Sequence, residues 1–235
     1  MRLPGSEKVI VGYDLGNKYA QISCYVTGSE EEIRTLSSVA GSSVYTIPLA
    51  LSKRQGVNQW FYGSEAIRYA GEEEGILVEN LLKLARDGEP VQIDGAPIDP
   101  VALLTLFLKR SLGLLSQVTN TERIGALMIT CEELDHRMLE VLTAATEGLH
   151  LKTDQICFQS HVESFYYYNL YQPEELWRHK TILCEYGDAS IRTYCMECNR
   201  HTTPVVAYME EREFPFPVPE SDEKMQEIAK KLCEN

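Results

Sequence analysis

Residues 8–15, Lys-Val-Ile-Val-Gly-Tyr-Asp-Leu, begin with an apolar run that predicts a buried strand. Gly16-Asn17 is a turn signal, and Tyr19 to Thr27 alternates as a second strand would. Together they predict a hairpin whose turn carries Asp14, Gly16 and Lys18. A third strand is expected over 33–39. Residues 46–52 read as extended around Pro48, residues 55–58 as a turn, and residues 59–63 as a short strand. Ser64 can cap a helix through Tyr69, and 78–86 reads as a second helix stopped by Asp87-Gly88. Val91-Gln92-Ile93 and Ala96-Pro97-Ile98 flank Asp94-Gly95 as a hairpin.

From residue 99 the period changes. Asp99 can cap free amides and Pro100 suits a first helical position. Val101, Leu104, Leu108, Leu112 and Leu115 then form a stripe at helical spacing. Residues 124–130 predict a buried strand, and Leu134, Met138, Leu142 and Ala145 stripe a helix ending at Gly148. A strand over 155–158 and a helix over 163–171 follow. The tyrosines of that helix point all round it, which suits a core or an interface. Strands over 181–185, 190–196 and 203–209 predict a meander, then a proline-rich linker over 214–219 and an amphipathic helix over 221–232. Strands, then alternating strands and helices, then strands again imply an α/β fold with a mixed sheet and a small inserted subdomain.

Composition narrows the partners. With 22 basic and 35 acidic residues the net charge is −13, which disfavours a nucleic-acid partner and an anionic membrane surface. No apolar run reaches membrane-spanning length, and none of signal-peptide length precedes Gly12. The seven cysteines, an odd number set mostly among apolar neighbours, suit reduced thiols and a cytoplasmic location. Cys195-Met196-Glu197-Cys198 with His201 is half a zinc site, but no second pair stands at matching spacing. His161 and Ser164 share a helix face, yet no Gly-x-Ser-x-Gly elbow accompanies them, so a hydrolase reading finds no nucleophile.

The segment 9–26, VIVGYDLGNKYAQISCYV, resembles the first phosphate motif of the actin, Hsp70 and sugar-kinase superfamily: apolar strand, Gly-x-Asp-x-Gly, apolar strand. The order of later elements over about 8–210 is similar too, including the Tyr-Gly-Ser-Glu-Ala of 62–66. The resemblance implies an actin-like ATPase (ribonuclease H-like) lobe I over 1–180, with its subdomain at about 40–98. Residues 181–235 would begin lobe II and stop before the adenosine loop. It implies ATP and magnesium as cofactors. Gly12, Asp14, Leu15, Gly16, Asn17 and Lys18 would face phosphate, with Asp14 holding magnesium through water. Gly187 and Ser190 would belong to the second phosphate loop, Gln159 would orient the attacking water, and Lys83 loosely matches the active-site lysine. The second loop departs from the family's Asp-x-Gly-Gly-Gly-Thr: it reads Glu185-Tyr186-Gly187-Asp188-Ala189-Ser190, and Asp188 places a negative charge where phosphate should sit. Two functions follow as expectations: an ATP-dependent conformational switch or assembly, or a degenerate scaffold acting through protein contacts without ATP hydrolysis. Both imply a protein partner or self-association, the latter through bare strand edges over 181–235.

Overall fold

Alternation inside one strand sets the architecture. Val9, Val11, Tyr13 and Leu15 are fully buried, whereas Ile10 and Asp14 face out. The computed structural model describes residues 8–29, 32–72, 75–119, 123–176, 180–186, 190–199, 201 and 206–215. In chain order the elements begin with β1 (Val9–Leu15), β2 (Tyr19–Val26), β3 (Arg34–Thr35), β4 (Ile47–Pro48), β5 (Leu51–Arg54), β6 (Trp60–Tyr62) and α1 (Gly63–Glu72). Next come β7 (Gly75–Val78), α2 (Leu81–Asp87), β8 (Val91–Ile93), β9 (Ala96–Ile98), α3 (Pro100–Leu112), β10 (Ile124–Cys131) and α4 (His136–Glu147). The last are β11 (Ile156–Ser160), α5 (His161–Tyr171), β12 (Lys180–Tyr186), β13 (Ser190–Cys198) and β14 (Val206–Pro215).

The chain divides into two units, Met1–Ser164 and Phe165–Asn235. The first is mixed α/β. Its main sheet has the order β11-β10-β1-β2-β3, with β4 also on β2. β1 runs parallel to β10, and β10 to β11, while β2 is antiparallel to both β1 and β3. The apolar face of β1 packs into one core with α3 and α4, through Leu104, Phe107, Leu108, Met138 and Leu142. α3 begins as its sequence predicts, whereas α4, expected from Leu134, begins at His136 after an Asp135 cap. Asp99 accepts from the Val101 amide at 2.9 Å with Pro100 beside it, and Asp135 accepts from the Met138 amide at 2.8 Å. Segment 51–98 builds a separate β6-β5-β7 sheet and the β8–β9 hairpin, whose turn places Asp94 and Gly95 at positive φ. An ion pair from Lys53 to Asp94 ties the two together. The second unit carries the antiparallel sheet β12-β13-β14.

Several expectations are corrected. The strand expected over 33–39 pairs only at Arg34–Thr35. The helix expected from Val78 is strand β7 followed by α2, because Gly75–Val78 supplies the partner that β5 needs along its other edge. The expected linker starts late: Phe214 and Pro215 close β14 against Ile191 and Ser190. Residues 216–219 and the expected helix over 221–232 lie outside the described residues. In α5, Tyr167, Tyr168 and Tyr171 are exposed. The six described cysteines are free thiols. Among the described residues no helix is long and apolar enough to cross a membrane.

Two glycines test the packing. A Cβ on Gly148 would stand 2.5 Å from Thr105 Cγ2. Thr105 cannot turn away freely, since its Oγ1 is bonded to the carbonyls of Val101 and Ala145 at 2.9 and 3.0 Å. Gly148→Ala should therefore cost about 1–3 kcal/mol in urea unfolding. Gly113, with open space around it and right-handed helical φ, should accept alanine at no cost or with a gain of up to ~1 kcal/mol. Equal effects at the two sites would refute the contact between α3 and the end of α4.

Candidate functional site

Strands β1, β10 and β11 bring their carboxyl ends to one edge, the edge where open α/β sheets place ligands. Their register aligns Gln21, Asp14, Thr130 and Gln159 in one row across β2, β1, β10 and β11. The row lies opposite the core face, so its polar groups need not be buried. Asp14 has a side chain 54 % exposed. Its Oδ1 accepts from Thr130 Oγ1 at 3.4 Å and lies 2.8 Å from His161 Nε2. With its proton on Nε2 the imidazole donates to the carboxylate, and when charged it forms an ion pair.

A capping box delivers His161. The Ser160 Oγ accepts from the Glu163 amide at 3.1 Å, and Glu163 Oε2 accepts from the Ser160 amide at 3.1 Å. That starts α5 at residue 161, directly after β11, and swings the ring over the end of β1. Gln159 is drawn into the same junction: Ser164 Oγ lies 3.1 Å from Gln159 Oε1 and 3.0 Å from the Ser160 carbonyl.

The turn between β1 and β2 gathers the remaining first-motif residues. The Gly16 amide donates to the Tyr19 carbonyl at 2.9 Å and closes the hairpin. A Cβ on Gly16 would stand 2.9 Å from that same oxygen, so the turn requires glycine. Gly12 is different: a Cβ there would meet nothing closer than the Ser23 carbonyl at 3.9 Å. Leu15 is fully buried and offers only its backbone. Asn17 donates to Glu132 Oε2 at 3.3 Å. Lys18 is exposed, and its carbonyl accepts from the Leu49 amide at 2.7 Å.

The corner is anionic. Beyond β10, Glu133 and Asp135 meet Arg86 at 3.2 and 2.5 Å. Burial pushes the Cys131 thiol up to about 12, and the charges of Asp14, Asp135 and Glu133 push the same way. Cys131 is therefore a core thiol and no nucleophile at neutral pH.

The other predicted residues stand elsewhere. Lys83 pairs with Asp87 along α2 at 2.6 Å. Ser190, in the second unit, is buried and bonds Glu213 Oε1 at 2.6 Å, while Gly187 lies outside the described residues. Cys195 is half-buried and Cys198 buried beyond a register shift, and burial raises the Cys198 thiol. Among the described residues no group of three His, Cys, Asp or Glu gathers as a metal site.

Thr130, Glu132 and the His161–Asp14 contact escaped the sequence. The Ser-x-x-Glu of residues 160–163 is the signal that could have placed His161 at the first position of a helix.

Residues 32–235 match the family described as "Family of unknown function (DUF5716) C-terminal", and the chain belongs to that family. No curated protein matches the sequence. Thr130, Gln159 and His161 lie inside the family match, whereas Asp14 and its turn precede it.

Gly16→Ala should lower stability by about 1–3 kcal/mol, because the clash is with backbone and not with a movable side chain. Urea unfolding gives the cost. His161 ring resonances, read by NMR, should shift with it as the Asp14 turn moves. An unaltered midpoint and spectrum would show that the turn relaxes freely.

Proposed function

We propose that the first unit is an actin-like (ribonuclease H-like) lobe and that its Asp14 corner binds the phosphates of a nucleotide such as ATP together with magnesium. The observation that carries this reading is the strand arrangement: a central β1, an antiparallel β2 joined by a tight turn, and Asp14 at the carboxyl end of β1. The helices α3 and α4 packed on the opposite face and the small sheet over 51–78 add to it.

The donor set suits magnesium, a hard cation that takes oxygen ligands and retains water. Asp14, half exposed, offers a carboxylate, and the Thr130 hydroxyl stands beside it. In an anionic corner the ion would supply the positive charge that phosphate needs. The exposed Lys18 and the turn over 16–18 would face the phosphate oxygens. Gln159 would orient water only after leaving Ser164.

A specific observation favours the second reading, a scaffold acting through protein contacts. His161 already satisfies Asp14 without a metal. The two readings separate in calorimetry. Under the nucleotide reading Mg-ATP binds, Asp14→Ala weakens it at least about tenfold, and His161→Ala, by releasing the carboxylate, strengthens it several-fold. Equal affinity for wild type and Asp14→Ala would remove the role given to Asp14. No heat at millimolar Mg-ATP from any of the three would favour the scaffold.

A further inference from the structure

A cavity of about 490 Å³ opens at the amino ends of β10 and β11, far from the Asp14 corner. Its described floor is apolar: Leu112 and Ile124 are buried, and Leu149 and Leu151 are half-buried. Gln155 lines it too, but its amide is committed to backbone, donating to the Ile124 carbonyl at 2.6 Å and accepting from the Lys152 amide at 2.9 Å. That leaves Lys109 and His150 as the polar groups of the described lining. Both are exposed, and neither has a hydrogen-bond or ion-pair partner among the described residues. No acidic side chain is among the described lining residues, although the chain holds 35 acidic residues against 22 basic ones. His150 also sits at φ 58, a left-handed conformation that glycine or asparagine adopts more cheaply.

We infer that this cavity binds a small carboxylate with a hydrocarbon body. The volume falls in the range of small-molecule sites, which combine apolar walls with a few polar groups. Lys109 supplies a fixed positive charge and His150 a further N–H donor, which together match one carboxylate. The leucines and Ile124 take the hydrocarbon. A phosphate would call for a fork of Arg donors or a nest of amides, and the described lining contains neither an arginine nor a helix start.

Decanoate tests this on the full chain by calorimetry, with 1-decanol as the same body without charge and acetate as the charge without the body. Decanoate should bind at least about tenfold more tightly than either control. Lys109→Gln/His150→Asn should reduce decanoate to the level of decanol and leave decanol unaltered. Asparagine tolerates the left-handed φ, and an unchanged urea midpoint would show that the variant is folded. Methyl NMR should place the decanoate shifts at Leu112 and Leu149. The inference is overturned if decanoate does not bind, if it binds no better than decanol, if the folded double variant keeps wild-type affinity, or if the shifts fall on β12–β14.

Discussion

The register of β1 is the constraint on which the first unit depends. A strand changes face with every residue, so a slip of one position would turn Tyr13 to solvent and Asp14 into the core. Two features hold it. Fully burying residues such as Val11 and Leu15 favours the native register by roughly 1.5–3 kcal/mol each. The Tyr13 hydroxyl also meets Ser111 Oγ in the core at 2.7 Å. Ser111 directs its own proton to the carbonyls of α3 at Phe107 and Leu108, so Tyr13 is the donor. Burial raises the tyrosine pKa, and the serine bond opposes that only in part, so the phenol stays protonated and its bond intact at neutral pH. Losing one partner would leave a buried polar group unsatisfied, at a cost of about 1–3 kcal/mol.

The same register that buries Tyr13 exposes Asp14. The candidate site is therefore a by-product of core packing on the other side of one strand. Its second requirement is β11, which must run parallel to β10 so that α5 begins where β1 ends. The capping box at Ser160 and Glu163 makes that junction abrupt, and His161 reaches Asp14 across 147 positions of sequence. In the turn beside Asp14, Gly16 is held by the bond from its amide to the Tyr19 carbonyl.

Legibility followed range. The β1–β2 hairpin, the Asp99-Pro100 helix start and the Gly148 stop are written in neighbouring residues, and the structure has all three. The helix expected over 78–86 began too early at Val78, and β7 went unread, because so short an apolar stretch fits either period and only pairing with β5 decides. β14 was ended too early because Phe214 and Pro215 look like a linker until Ile191 and Ser190 are set beside them. At the site, Asp14, Gly16 and Gln159 were visible as residue types. What they touch was not, since Thr130 and Glu132 arrive through the parallel pairing of β10, which no local pattern encodes, and the local Ser-x-x-Glu places His161 on a helix without saying that it meets Asp14.

Charge is divided along the strands. β10 runs from Ile124 at the cavity to Cys131 at the Asp14 corner, eight residues, or about 26 Å at ~3.3 Å each. At its carboxyl end stand Asp14, Glu132, Glu133 and Asp135; Arg86 pairs with Glu133 and Asp135, Asn17 donates to Glu132, and the His161 ring lies against Asp14. At its amino end stand Lys109 and His150 above an apolar floor. Over such a distance, beyond the ~10 Å screening length at moderate salt, the two ends do not neutralise each other. On the two proposals above, each end would select its ligand by its own field: the carboxyl end would need a cation before an anion, and the amino end would take an anion directly.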